Sequence, residues 1–292
     1  MTSEKTFGYY PNKVDLSFGS ISITPLDNFD DAKISVQNDP HCLNDWIYAP
    51  SQEIFELKHQ KLKACPYSAR VFGLPHTHRI RHERSACSEH LDFLIWAFSF
   101  FAGYRLTSSE AGFLDATPIV GRKLVDFDIR PIQFAKSIEL AENYWNKKKN
   151  NRKQTKRVCA AIHTLFLAAN PRLLPFESFT FAYITLDTCF KIMAEGKRDI
   201  PTSHSDRLEW MCNKINLSPV TWDLHEVRND TFHEGLYFDE PLGFSAEPSG
   251  EMSMERRMRN LACRLLAHIL GCRCEHYIQT NPESLSVRLL TL

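Results

Sequence analysis

The chain has 292 residues, 43% of them hydrophobic, and its 35 Lys and Arg side chains balance 35 Asp and Glu side chains. This length is enough for one large core or two ordinary ones. Because the charges cancel, no overall basic field attracts nucleic acid, and any such contact must come from a local patch.

The sequence favours a protein of a reducing compartment. Its nine cysteines are odd in number and lie mostly in apolar stretches, as at residues 157–161, which is typical of reduced thiols rather than a disulfide framework. Residues 1–5 are polar and lack the apolar region of a signal peptide. The longest apolar run, residues 91–102, is shorter than the roughly 20 residues of a membrane span. We therefore expect a soluble, cytoplasmic protein with no membrane contact.

Residues 10–80 have the pattern of a small β-domain. Apolar residues alternate with polar ones in two short runs, Val14, Leu16 and Phe18, then Ile21 and Ile23. Gly19-Ser20 between the runs predicts a hairpin turn. Residues 33–37 and 69–74 predict two further strands.

From residue 88 onward the pattern is helical. We predict a hydrophobic helix over residues 88–102 with Ser88 as its N-cap, and another over 131–146 with Pro131 in its first turn. Five more follow, over residues 156–169, 176–195, 204–216, 219–235 and 252–279, with a loop at 237–250. The expected fold class is α+β: a strand-rich N-terminal domain at 1–130, which includes the helix at about 88–103, and an all-α bundle at 131–292.

The fourth helix of the bundle carries the residues of chemical interest. Val220, Leu224 and Val227 form an apolar stripe, and Asn229 and His233 share a different face. Arg228 and His233 are five residues apart, which is about 140° around a straight α-helix. The two side chains therefore meet only if the helix end is distorted or if two copies of the helix meet in a dimer.

The segment Arg228-Asn229-Asp230-Thr231-Phe232-His233, closely followed by Gly235, resembles the signature of the HEPN superfamily of helical ribonucleases. The apolar helix at 176–187, which ends in Asp187, resembles the long early helix of these domains, where an acid commonly follows an apolar residue. The likeness spans about residues 155–280. With the strand-rich part and the hydrophobic helix before the bundle, the arrangement is also similar to ApeA-type HEPN proteins of bacterial anti-phage defence.

This resemblance implies metal-independent RNA cleavage in a homodimer that leaves a 2′,3′-cyclic phosphate, with no cofactor. Arg228, His233, Asn229 and Asp187 would be the catalytic residues. It also implies a toxin-like effector of abortive infection, with cellular RNA such as transfer RNA as substrate and a phage-derived trigger at the N-terminal domain.

The residue types support the same chemistry independently. Cleavage without metal needs proton transfer to and from oxygen, and stabilisation of charge on the phosphate. Histidine transfers protons near neutral pH, and the arginine fork suits a phosphate. The alternative is a HEPN-like module that binds nucleic acid or dimerises without catalysis. Asp230 and Glu234 count towards it, because acids beside Arg228 would weaken its hold on phosphate.

A basic run of residues 147–157 precedes the bundle. Its candidate contacts to the RNA backbone are Lys147, Lys148, Lys149, Arg152 and Lys153. The alternative is a solvated, disordered linker.

Two other clusters have ordinary explanations. His76, His78 and His82, with His90 beyond, are candidate metal ligands, but we favour an exposed loop and no metal, since no paired cysteines support zinc binding. Cys272 and Cys274 are expected as ordinary thiols in the last helix. The sequence has no phosphate-binding glycine loop and no zinc-protease or serine-hydrolase motif.

Overall fold

The computed structural model describes residues 2–49, 52–56, 60–65, 73–84, 87–108, 116–121, 123–220, 222–244, 252–284 and 288–292, with backbone alone at 52–56 and 61–65. The chain combines helices and strands, as an α+β protein does. It divides into two compact units, residues 1–124 with 170–172, and residues 125–169 with 173–292. In the described part of the chain, no helix is long and apolar enough to cross a membrane.

The first unit contains most of the strands. Its elements are β1 (Ser3–Phe7), β2 (Leu16–Phe18), β3 (Ile21–Pro25), α1 (Phe29–Gln37), β4 (Cys42–Leu43), β5 (Trp46–Tyr48), β6 (Gln52–Glu56), β7 (Lys61–Cys65), β8 (His78–His82), α2 (Ser88–Ala102) and β9 (Ala116–Pro118). Strands β1, β8, β3 and β2 form an antiparallel sheet in that order, β4, β5 and β9 form a second, and β6 pairs with β7.

The predicted hairpin is confirmed. Strands β2 and β3 pair with Phe18 opposite Ile21, and Gly19 in the turn has a φ of +57°, a backbone conformation that glycine adopts without strain. The hydrophobic helix is confirmed over the predicted residues as α2, most of whose side chains are buried. Its N-cap is Cys87, however, and Ser88 is the first helical residue.

Residues 33–37, predicted as a strand, belong to helix α1. The buried residues of α1 are Phe29, Ala32 and Val36, whose spacing of three and four is helical. The other predicted strand, residues 69–74, lies mostly outside the described residues, and Gly73 and Leu74 have no regular structure.

The histidine cluster does not form the exposed loop that the sequence suggested. His78 and His82 belong to β8 and are buried, while Arg79 and Arg81 between them are exposed. His78 accepts a hydrogen bond at Nε2 from the Val14 amide, at 3.2 Å, so its Nδ1 donates to the Thr77 hydroxyl, at 2.9 Å. His78 therefore serves as a neutral core residue of the sheet.

The second unit is mainly helical. Its elements are β10 (Phe127–Asp128), a 3₁₀ turn (Pro131–Gln133), α3 (Phe134–Lys148), α4 (Arg152–Ala168), α5 (Pro175–Met193), α6 (His204–Lys214), α7 (Leu224–Asn229), a π-helical turn (Asp230–Glu234), β11 (Leu236–Tyr237), β12 (Glu240–Pro241), α8 (Met254–Ile269), α9 (Glu275–Ile278) and β13 (Arg288–Leu289). Strand β10 pairs with β13, and β11 with β12.

Helices α4, α5 and α8 form the core of this unit. Helix α5 packs against both α4 and α8. Their facing side chains are almost fully shielded from solvent: Ile162, Leu165 and Phe166 from α4, Phe179, Ala182 and Leu186 from α5, and Leu261, Leu265 and Leu266 from α8. This packing fixes α5, which carries one wall of the site described below.

Several predicted boundaries in this unit were wrong. The helix predicted at 219–235 begins at Leu224, so Val220 lies outside it. The helix predicted at 252–279 ends at Ile269, and Cys272 and Cys274 follow it outside any helix. The segment 237–250, predicted as a loop, includes the last residue of β11 and the whole of β12, which pair as a short hairpin. Ser203 caps α6 by accepting a hydrogen bond from the Asp206 amide.

Candidate active site

Arg228 and His233 meet within one chain. Nη1 of Arg228 lies 3.1 Å from Nε2 of His233. Arg228 is in the last turn of α7, and His233 is in the π-helical turn that continues it. A π turn hydrogen-bonds each residue to the fifth one along, so it has more residues per turn than an α-helix and brings residues five apart closer to one face. The distorted helix end is therefore the arrangement, of the two left open by the sequence, that brings these side chains together.

The local sequence explains why the helix widens here. The amide of Gly235 donates to the carbonyl of Asp230, five residues back, and Gly235 ends the turn with a φ of +70°. The Thr231 hydroxyl donates to the Val227 carbonyl at 2.6 Å, and such back-bonding locally perturbs helices. Thr231 and Val227 are both buried, so the turn is anchored on its inner side.

The contact with Arg228 indicates which ring nitrogen of His233 accepts a hydrogen bond. Arginine has donors and no acceptor, so the guanidinium donates to Nε2 of His233. A nitrogen that accepts this hydrogen bond carries a lone pair, so the contact corresponds to the His233 tautomer with its proton on Nδ1. The same Nη1 donates to Oδ1 of Asn229 at 2.8 Å, and the Asn229 amide lies 3.3–3.4 Å from the ring nitrogens of His225.

The pair is open to solvent. His233 is exposed, and Arg228 and Asn229 are half-buried. In the described part of the chain, neither Asp230 nor Glu234 forms an ion pair with Arg228, whose Nη1 contacts Asn229 and His233 instead. A phosphate can therefore reach both the guanidinium and the imidazole.

Two aromatic side chains line the guanidinium. Its Cζ lies 5.6 Å from the ring centre of Phe232 and 6.0 Å from that of Tyr183 on α5. These separations are within the range of cation–π attraction. Phe232 is 43% exposed, which leaves part of its ring accessible beside Arg228.

Tyr183 links Arg228 to a second histidine. Its hydroxyl is hydrogen-bonded to Nδ1 of His204, at the start of α6, while its ring faces the Arg228 guanidinium. Burial raises the pKa of Tyr183, and the Arg228 charge opposes that rise. Burial lowers the pKa of His204, and the charges of Arg207 and Arg228 lower it further.

Asp187 does not reach the Arg228–His233 pair by any hydrogen bond in the described structure. Its carboxylate accepts from Nζ of Lys191 at 2.5 Å and lies 3.4 Å from Nη1 of Arg207. It shares a helix face with Tyr183, one turn earlier, and lies in a small pocket with Tyr183, His204 and Arg207. From this position Asp187 orients the Arg207 side chain.

The basic run is mostly helical. Lys147 and Lys148 end α3, Arg152 and Lys153 begin α4, and Lys149 lies in the turn between them. All are exposed except Lys148, which is half-buried with its Nζ 3.8 Å from a Glu195 carboxylate oxygen. The run is thus an ordered turn between two helices, not the disordered linker considered as the alternative.

Sequence reasoning missed three members of this cluster: Tyr183, His204 and Arg207. Tyr183 lies four residues before Asp187, so the helical period alone places both on one face. His204 and Arg207 gave no such signal, because they reach the site from α6 through the tertiary fold.

Comparisons with protein-family models, with curated proteins and with solved structures found no match to this chain.

Proposed function

We propose that the protein is a metal-independent endoribonuclease whose site is built on Arg228 and His233. The observation that carries this proposal is the contact between the half-buried Arg228 and the exposed His233, whose Nη1 and Nε2 atoms are 3.1 Å apart. Together they offer a cation for the phosphate and a proton-transfer group for its oxygens. The resemblance to HEPN ribonucleases supports the same assignment.

In the reaction, the ribose 2′ oxygen attacks the adjacent phosphorus, a bond from phosphorus to that oxygen forms, and the bond to the 5′ oxygen breaks. The products are a 2′,3′-cyclic phosphate and a 5′-hydroxyl. Arg228 would stabilise the negative charge that builds up on the phosphate, and Asn229 would hold the guanidinium through its Oδ1.

The resting contact also suggests how substrate prepares His233. With no phosphate bound, the Arg228 guanidinium occupies the lone pair on Nε2. An arriving phosphate attracts the guanidinium more strongly than a neutral imidazole does. Nε2 is then released beside the phosphate and becomes available for proton transfer to its oxygens.

For the wider setting we rely on the family resemblance alone. It suggests a bundle of HEPN type, a homodimer, cytoplasmic action on transfer RNA or another cellular RNA, and a toxin-like effector in anti-phage defence. The first unit would then carry the sensing function.

The test incubates the purified full chain with total RNA and with transfer RNA in EDTA, beside Arg228→Ala and His233→Ala. We expect the parent to cut RNA and both variants to lose at least 100-fold in rate. Matched controls are Arg198→Ala and His276→Ala, which remove an exposed arginine and an exposed histidine elsewhere. If the two site variants cut as fast as the two controls, Arg228 and His233 are not the catalytic pair.

A further inference from the structure

On the basis of the ribonuclease activity proposed above, we propose that Tyr183 and His204 form a base relay in the same site, which leaves His233 as the acid. Tyr183 would accept the proton of the 2′-hydroxyl and pass its own proton to Nδ1 of His204. Cleavage at one phosphate requires both a base and an acid, and one imidazole cannot be both in a single step.

The geometry supplies the link. The Tyr183 hydroxyl contacts Nδ1 of His204, and the two ring centres are 5.8 Å apart. The Arg228 guanidinium carbon lies 6.0 Å from the Tyr183 ring centre, and its Nη1 contacts Nε2 of His233. The Arg228 guanidinium thus lies near both the His233 imidazole and the Tyr183–His204 pair. A phosphate held by Arg228 would therefore lie near both histidine-containing groups.

The surroundings of His204 suit a base. The charged and titratable groups that act on it are Tyr183 and Asp187 from α5, Arg207 from α6, and His225 and Arg228 from α7. Burial is the largest cause of its lowered pKa, and the charges of Arg207, Arg228 and His225 act in the same direction. Asp187 opposes them. His204 is therefore neutral near pH 7, with a lone pair available at Nδ1 when the Tyr183 hydroxyl donates to it.

In this relay Tyr183 transfers a proton without becoming a tyrosinate anion. Burial raises its pKa, which disfavours a free tyrosinate. In a concerted relay its oxygen gains the substrate proton as its own proton leaves for His204, so no tyrosinate forms. The protons balance: one passes from the 2′ oxygen to His204, and one passes from protonated His233 to the departing 5′ oxygen. Exchange with solvent restores both histidines.

The test uses two substrates that differ at one atom. In the first RNA the scissile bond has its natural 5′ oxygen, and in the second a bridging sulfur replaces that oxygen. A thiolate leaves without being protonated, so loss of an acid is compensated by the sulfur substrate, whereas loss of a base is not. The variants are Tyr183→Phe, His204→Gln and His233→Ala, with His276→Gln as a matched control.

We expect Tyr183→Phe and His204→Gln to lower kcat by about 100-fold on both substrates with little change in KM. Glutamine at 204 still accepts a hydrogen bond from Tyr183 but cannot take its proton. We expect His233→Ala to lose activity on the oxygen substrate and to recover most of it on the sulfur substrate.

A second readout does not depend on activity. The ¹⁵N shifts of the His204 ring, followed against pH in the full chain, report its protonation. We expect them to show titration below the ordinary histidine range, and Arg207→Gln to move that titration to higher pH because one nearby positive charge is removed.

The outcomes separate the two proposals. If the parent cuts neither substrate, the ribonuclease proposal fails and the relay fails with it. If the parent cuts RNA but Tyr183→Phe and His204→Gln match the control, the relay is wrong and the ribonuclease proposal stands. The relay is also overturned if sulfur rescues Tyr183→Phe, or if His204 titrates at or above the ordinary histidine range.

Discussion

Nη1 of Arg228 donates a hydrogen bond to Nε2 of His233 across a single π-helical turn. An arginine and a histidine five residues apart would diverge on a regular α-helix. The π turn aligns them, and Gly235 closes it. The spacing of the motif and the irregularity of the backbone are thus parts of one arrangement.

The shape of the arginine fork should matter as much as its charge. Arg228→Lys keeps the positive charge but cannot hold a phosphate with two parallel donors. We expect the rate of RNA cleavage to fall about 100-fold, measured as kcat/KM on a defined oligonucleotide. Arg198→Lys is the matched control. A fall of less than threefold for Arg228→Lys would show that charge alone is enough.

The π turn should be needed for catalysis separately from stability. Gly235 and Gly196 have almost the same positive φ, +70° and +71°, and a Cβ at either would meet nothing within 4 Å. Alanine should therefore cost about 1–2 kcal/mol at each site through backbone strain alone. We expect urea unfolding to show similar losses for Gly235→Ala and Gly196→Ala, and RNA cleavage to fall only for Gly235→Ala. Equal effects on cleavage would argue against a role for the turn.

Asp187 should act through its cationic partners. Asp187→Asn removes the carboxylate charge that Lys191 and Arg207 contact, and with it an influence that raises the pKa of His204. We expect cleavage at neutral pH to change by less than tenfold and the acidic limb of the pH–rate profile to move to lower pH. A loss as large as that of His233→Ala would instead place Asp187 among the reacting groups.

The first unit should lose stability as pH falls. Burial lowers the pKa of His78 from 6.5 to about 4. Between these values the unfolded chain binds more protons than the folded one, so the free energy of unfolding rises with pH. The lowered pKa contributes about 3 kcal/mol above pH 6.5, which is lost progressively towards pH 4. Urea unfolding of the parent and of His78→Asn from pH 7.5 to pH 4.5 would measure it. If the free energy of unfolding depends on pH equally in the parent and in His78→Asn, His78 is not the source of the pH dependence.

The turn between α3 and α4 should contribute to RNA affinity by charge. Lys147, Lys149 and Lys153 are exposed there. Each phosphate contact to single-stranded RNA adds about 0.7 to the slope of log affinity against log salt. We expect the triple Lys→Gln variant of these positions to lower that slope by about 2, while neutralising the exposed Lys13, Lys197 and Lys214 leaves it nearly unchanged. If the two triple variants have equal slopes of log affinity against log salt, the turn between α3 and α4 does not contact the RNA backbone.

Local sequence patterns predicted many of the helices and strands. The hairpin at Gly19, the buried helix α2 and the helices α4 to α6 follow from the spacing of apolar residues and from turn residues, which neighbours in sequence determine. Part of helix α1 was predicted as a strand because residues 33–37 alternate between polar and apolar. The helical spacing becomes visible only when the buried residues Phe29 and Ala32, which precede this segment, are considered with Val36.

Only part of the candidate site could be predicted from the sequence, and the reason is physical. Arg228, Asn229 and His233 are close in sequence, so a motif reveals them. The π turn depends on the Thr231 back-bond and on Gly235, and a periodicity argument that assumes a regular helix cannot predict it. Tyr183 and His204 lie 21 residues apart and meet through the packing of α6 on α5, which no local pattern encodes.

The most direct test of the central claim is the chemistry of the RNA ends. RNA from cells that express the parent chain, and from cells that express His233→Ala, would be sequenced by a method that captures 2′,3′-cyclic phosphate ends selectively. We expect new cyclic-phosphate ends at defined positions with the parent, and their loss with His233→Ala. Identical sets of such ends in the two samples would contradict RNA cleavage by the Arg228–His233 pair.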